Sequence, residues 1–190
     1  MYLKNSLIIV LFFVLSCQPV EILKPVEIDI SNFDKISINT KEIEIHNKYE
    51  PYFAKSNIED QIQHPPIDLM IKWNNENILK LGNENKLVIN ILDASIIKKE
   101  VENSDAKKYQ EKTIFKFELF FLVEYELYDN SGFLKANTTV ETSRSTTSQK
   151  YISLNETEII INDLLILAMK DYINEAKNQL SIYMKDYLSF

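Results

Sequence analysis

The chain has 190 residues, of which 45% are hydrophobic and 26% charged, and its formal net charge is −7. This size and composition fit one globular domain with a buried core and exclude a disordered chain. Only two glycines occur, which excludes glycine-rich phosphate loops, and the acidic charge argues against a nucleic acid partner.

The first residues carry the pattern of an export signal. Lys4 precedes an uninterrupted apolar run over residues 7–15. A helix of that length is ~14 Å long, about half of a ~30 Å hydrocarbon core, so it is too short for a stable membrane span. A positive start, a short apolar stretch and a small residue at its end predict a signal peptide over residues 1–16.

The end of this segment resembles the lipobox of bacterial lipoproteins, with the sequence Val14-Leu15-Ser16-Cys17. Cys17 is the only cysteine of the chain. The resemblance implies that signal peptidase II cuts before Cys17 and that the Cys17 thiol carries a diacylglyceryl group. Two or three acyl chains hold a protein stably on a bilayer, whereas one holds it only marginally. The alternative is an ordinary buried cysteine at the end of a cleaved signal or an anchoring helix.

The residues after the cysteine predict the location of the anchor. Under the usual sorting rule for lipoproteins, Gln18 carries no inner-membrane retention signal, which favours the outer membrane and a domain facing the periplasm. Residues 17–33 are predicted to be the lipidated cysteine and an extended tether, because prolines at positions 19 and 25 disfavour a helix. The alternative is that the tether region forms a first edge strand.

Residues 34–190 are predicted to form a single α+β domain. Alternating isoleucines over residues 35–48 predict one strand or a bent pair, and the polar segment 47–66 predicts a loop. Pro65-Pro66 predicts the start of a helix, and Gly82 is predicted to close it as a left-handed C-cap. Within the apolar stripe of this helix lies Asn74, which we expect to bond a neighbouring strand or loop rather than a ligand.

Three strands and a second helix follow. Residues 86–94, 113–128 and 133–149 predict the strands, with a hairpin turn at Asp129–Gly132 between the last two. Ser153 and Glu156 have the spacing of a capping box and predict the start of a helix that runs to about Leu188.

The element order β-α-β-β-β-α predicts two layers, with two helices on one face of a four-stranded, mainly antiparallel sheet. A right-handed crossover through the first helix would make the first two strands parallel. This order resembles that of the lipopolysaccharide-assembly lipoprotein and of transporter-auxiliary lipoproteins. The segment from Pro65-Pro66 to Ser95 is similar to an uncharacterised family of alphaproteobacterial lipoproteins, a resemblance that implies no activity.

Few residues predict chemistry. His46 and His64 are the only histidines, and a metal site needs three or four converging ligands, so we expect no metal site and no cofactor. The chain has no nucleophile elbow and no recognisable triad, so it is not expected to be an enzyme. Three glutamates of the third strand, Glu118, Glu124 and Glu126, are interpreted as a solvated sheet face, since Lys116 alternates with them.

Phe120 and Leu122 interrupt that charged face at its centre. Apolar side chains on the wet side of a sheet predict a cover, which is either a partner surface or the 48–66 loop. The first functional hypothesis is therefore a non-enzymatic accessory or docking subunit of an envelope transport or assembly machine. The alternative is a carrier of a lipid or other apolar molecule held between helices and sheet, and a hydrolase would need a cleft with converging carboxylates and a histidine.

Overall fold

A computed structural model describes residues 28–29, 32–51 and 56–188. The signal peptide, Cys17 and most of the tether predicted from the sequence lie outside this part of the chain. The described elements, in chain order, are β1 (Ile36–Ile38), β2 (Glu42–Asn47), α1 (Pro66–Asn77), β3 (Ile78–Lys80), β4 (Lys86–Glu102), β5 (Thr113–Tyr128), β6 (Leu134–Ser148) and α2 (Leu154–Tyr183).

The main sheet has four strands in the order β2-β4-β5-β6. The pairs β4–β5 and β5–β6 are antiparallel, and β2 runs parallel to β4, so the predicted α+β fold and the parallel first pair are confirmed. Of the two forms predicted for residues 35–48, one strand or a bent pair, the structure has the bent pair. β1 leaves the main sheet and pairs in parallel with β3, while β2 pairs with β4. β4 extends eight residues beyond its predicted end at 94, because its charged second half pairs with the start of β5 after a bulge near Leu92.

The core lies between the two helices and one face of the sheet. Alternate residues of β5 point to this face and are buried, namely Phe117, Leu119, Phe121, Val123, Tyr125 and Leu127. The Tyr125 hydroxyl donates to Asn74 Oδ1 on α1 at 3.4 Å and also hydrogen-bonds the hydroxyl of Tyr172 on α2. Both helices therefore cover the same face, as predicted. The expectation that Asn74 bonds a neighbouring strand or loop is confirmed by its contact with Tyr125 of β5. Burial raises the pKa of both tyrosines, so both hydroxyls stay protonated at neutral pH.

Helix α1 ends one turn before its predicted terminus. The last helical residue is Asn77, and the Ile78 amide still donates to the Asn74 carbonyl while its own backbone is extended. β-Branched Ile78 suits a strand, and β1 offers it a partner in Ile36. Tertiary pairing therefore replaces the final helical turn that the apolar spacing suggested.

The prediction of Gly82 as a left-handed cap is wrong. Among the described residues, positive φ angles occur at Asn85 and Gly132, the latter in the confirmed β5–β6 turn. Gly82 instead permits close approach to the end of β1, because a Cβ there would lie 2.8 Å from backbone atoms of Asn39 and Thr40.

Helix α2 begins at the predicted capping box. The Glu156 amide donates to Ser153 Oγ at 3.1 Å, and the Ser153 amide donates to the Glu156 carboxylate at 2.8 Å. The helix ends at Tyr183, and a short 3-10 helix, Lys185–Tyr187, completes the segment predicted to be helical. No helix in the described ranges is long and apolar enough to cross a bilayer.

The β1 segment and the C-terminal segment meet beside α2. The Asn39 amide donates to the Tyr187 carbonyl at 2.6 Å. Lys177 forms an ion pair with Asp34. These contacts place β1 between the small β3 strand and the C-terminal segment.

Candidate docking surface

The candidate site lies on the open face, which we define as the face of the main sheet opposite the helices. Phe120 is 36% exposed there, and Leu122 is partly buried. The strand register places Phe120 between Ser95 and Ser143, and neither of these small residues can cover its ring. The predicted position of Phe120 and Leu122 on the face opposite the core is confirmed.

Charged residues surround this apolar centre. The Glu118 carboxylate forms ion pairs with Lys116 Nζ at 2.6 Å and with Lys99 Nζ at 2.9 Å. These two ammonium groups, Lys116 first, hold the pKa of the Glu118 carboxyl below its usual range. The interpretation of the β5 glutamates as part of a paired, solvated surface therefore fits Glu118.

The other two glutamates of β5 behave differently. Both Glu124 and Glu126 accept from the Asn90 amide nitrogen at 3.0 Å. Asn90 is 1% exposed, and its Oδ1 has no hydrogen-bond partner among the residues that the structure describes. Sequence reasoning missed Asn90, although a single amide within the apolar run of β4 was a signal of a buried polar contact.

A shallow groove of about 500 Å³ continues from Asn90 towards β2. Its wall includes the Glu44–Lys86 ion pair at 2.7 Å, which holds the pKa of Glu44 below its usual range. His46 lies 3.4 Å from the Glu44 carboxylate and is half exposed. Within the described ranges, no group of three or more histidine, cysteine, aspartate or glutamate side chains could hold a metal ion.

The loop before α1 runs along the outer edge of β4. Glu59 accepts from the Ile96 amide at 3.2 Å and from the Tyr49 hydroxyl, and burial together with this bond raises the pKa of Tyr49. The Ser56 carbonyl accepts from the Lys98 amide at 2.7 Å. This part of the loop satisfies backbone groups at the edge of β4, while more than a third of Phe120 stays exposed.

The space between helices and sheet is filled by side chains. Trp73 packs edge-on against Tyr172, with ring centroids 5.7 Å apart. The residues that meet in this layer are at most 1% exposed, namely Trp73, Phe121, Tyr125, Leu165, Met169 and Tyr172. A water-sized cavity beside any of them would give it accessible surface, so none opens at these residues, whereas a groove of about 540 Å³ lies between β1, α2 and the C-terminal segment.

Comparisons with known proteins add weak similarities. No family model and no curated protein matches the chain. It is similar to the solved structure of a minor lipoprotein from Acinetobacter baumannii, with 12% identity and a TM-score of 0.41, over 80% of this chain and 98% of that one. It is also similar to rare lipoprotein B from Shewanella oneidensis, with 12% identity and a TM-score of 0.35, over 72% of this chain and 93% of that one. Such values carry no argument about family or function.

Proposed function

We propose that the protein is a bacterial lipoprotein, anchored to an envelope membrane through lipid on Cys17 and facing the periplasm, with the outer membrane favoured. One observation carries the proposal: the only cysteine stands directly after the small residue that ends a short apolar leader. Diacylglycerol on that thiol supplies two acyl chains, which is enough for stable attachment.

The folded domain then acts as a non-enzymatic accessory subunit that docks to an envelope transport or assembly machine. Two observations favour docking over the carriage of a lipid. The layer beneath the helices is filled, and the open face presents Phe120 and Leu122 within a ring of charges, an apolar centre with a polar rim as in protein interfaces.

The anchor is tested by Cys17→Ser in cells grown with radioactive palmitate. The wild-type protein should be labelled and shortened, whereas the variant should be unlabelled and remain as the longer precursor. Label that persists in the variant, or a mature wild-type protein whose mass shows a free thiol, would refute the anchor. Ser16→Ala is a matched control, because it keeps a small residue before the cysteine and should still be processed.

A further inference from the structure

The three most exposed large hydrophobic side chains of the described residues belong to two neighbouring segments of the chain. Tyr109, Leu154 and Tyr151 are exposed by 93%, 90% and 86%. Tyr109 lies in loop 103–112 between β4 and β5, and the other two lie where β6 leads into α2. We call these two segments, 103–112 and 149–154, the lysine–tyrosine tip.

The two segments are held side by side. Lys150 donates to the Glu100 carboxylate at 2.6 Å and to Thr113 Oγ1 at 3.3 Å, so the second segment is bonded to the base of the first. The strand register agrees, since Phe115 of β5 pairs with both Glu100 and Ser148. The exposed side chains therefore belong to one end of the molecule rather than to scattered positions.

The charge of the tip is opposite to that of the chain. Four lysines stand against Asp105, Glu111 and the Glu100 carboxylate that pairs with Lys150, a local charge of +1 in a chain of −7. The lysines are Lys107, Lys108, Lys112 and Lys150, of which the first three are exposed. Tyrosine is enriched where proteins meet the bilayer interface, and lysine is attracted to anionic headgroups.

The anchor limits how far the domain can stand from a bilayer. Ile28 stands eleven positions after Cys17 (28 − 17), and eleven residue-to-residue steps reach at most ~40 Å when fully extended. Strand β4, with 17 residues, is itself ~55 Å long. A domain on so short a tether stays beside the membrane, and the chemistry of its own surface determines which part contacts lipid.

We propose that the lysine–tyrosine tip rests in the anionic headgroup region of the membrane that holds Cys17. This inference rests on the proposed lipid anchor. Tyr109, Tyr151 and Leu154 enter the interface, and Lys107, Lys108 and Lys112 meet lipid phosphates. The tip thereby orients the domain and leaves the open face beside the bilayer, accessible to a protein partner.

The test uses two single variants of the full, lipidated chain, Tyr109→Cys and Tyr151→Cys. Each variant is labelled with the environment-sensitive fluorophore NBD and reconstituted in vesicles of phosphatidylethanolamine and phosphatidylglycerol. Lipid blocks Cys17, so the introduced thiol is the only one that reacts. Phe133→Cys is the control, because Phe133 is 71% exposed in the turn at the opposite end of β5. NBD at both tip positions should brighten and shift to the blue relative to the control. Replacing Lys107 and Lys108 by Gln should lower the ratio of inserted to free tip about 25-fold, at about fivefold per lysine.

The outcomes separate the two proposals. A mass that shows an unmodified Cys17 refutes the anchor itself. A lipidated protein whose tip labels report water, or brighten no more than the Phe133 label, overturns the inference and leaves the anchor intact. Brightening in native membranes but not in lipid vesicles also overturns it, because the tip would then contact a protein.

Discussion

Two adjacent phenylalanines of β5 test the assignment of the two sheet faces. Phe121 is 1% exposed and packs against Tyr172, with ring centroids 5.8 Å apart, whereas Phe120 is 36% exposed on the open face. We expect Phe121→Ala to lower the free energy of unfolding by about 3–5 kcal/mol, because it leaves a cavity in the core. Phe120→Ala should lower it by about 1–2 kcal/mol, because only part of the ring is buried and water fills the vacated space.

The measurement is equilibrium unfolding in urea followed by tryptophan fluorescence. Trp73 is the only tryptophan and is fully buried in the layer that Phe121 helps to fill, so its emission reports the core directly. If the two alanine variants lost equal free energy of unfolding, or if Phe120→Ala lost more, the face assignment would be refuted. A one-residue slip of β5 would exchange its two faces in this way. Phe120→Lys completes the test of docking: recovery of cross-linked envelope proteins should fall in Phe120→Lys, while its free energy of unfolding falls by about as much as in Phe120→Ala. A much larger loss of stability would assign Phe120 to the core.

Three further changes probe other parts of the fold. Tyr172→Phe removes one buried hydroxyl bond, and we expect a loss of about 1–2 kcal/mol in urea unfolding; an unchanged midpoint would contradict the bond to Tyr125. Gly82→Ala should lower the melting temperature and shift the NMR signals of β1, because the added methyl meets backbone at 2.8 Å. Glu118 has a lowered pKa in the folded state, so its contribution is present above the unfolded pKa of about 4.3 and is lost as the pH falls through the folded value. The stability advantage of wild type over Glu118→Gln should therefore shrink on acidification, and a gap that widens would refute the ion pairs.

Local patterns predicted much of this fold because single elements carry their own signals. The alternation of β5 fixes which residues face the core, and Ser153 with Glu156 marks the start of α2 through two reciprocal hydrogen bonds. The parallel pairing of β2 with β4 followed from the handedness of the crossover. Phe120 and Leu122 could be placed on the open face for the same reason as the buried residues of β5.

The remaining features depend on contacts between distant residues. The strand at Ile78 competes with a helical turn, and only the presence of β1, some forty residues earlier, decides the outcome. Gly82 is required by the backbone of Asn39, which no local rule connects with it. Asn90 is buried because two carboxylates of β5 lie opposite it, a fact of strand register rather than of composition.

The junction between the N-terminal strand and the C-terminal segment affects how the protein matures. The amide of Asn39 finds its acceptor at Tyr187, 148 positions later (187 − 39), and closing so long a loop is slow and entropically unfavourable. Because synthesis runs from the N-terminus, β1 emerges long before that acceptor. Until that acceptor emerges, the Asn39 amide lacks this bond and β1 stays without its C-terminal neighbour, a state in which unpaired strand edges are prone to aggregate.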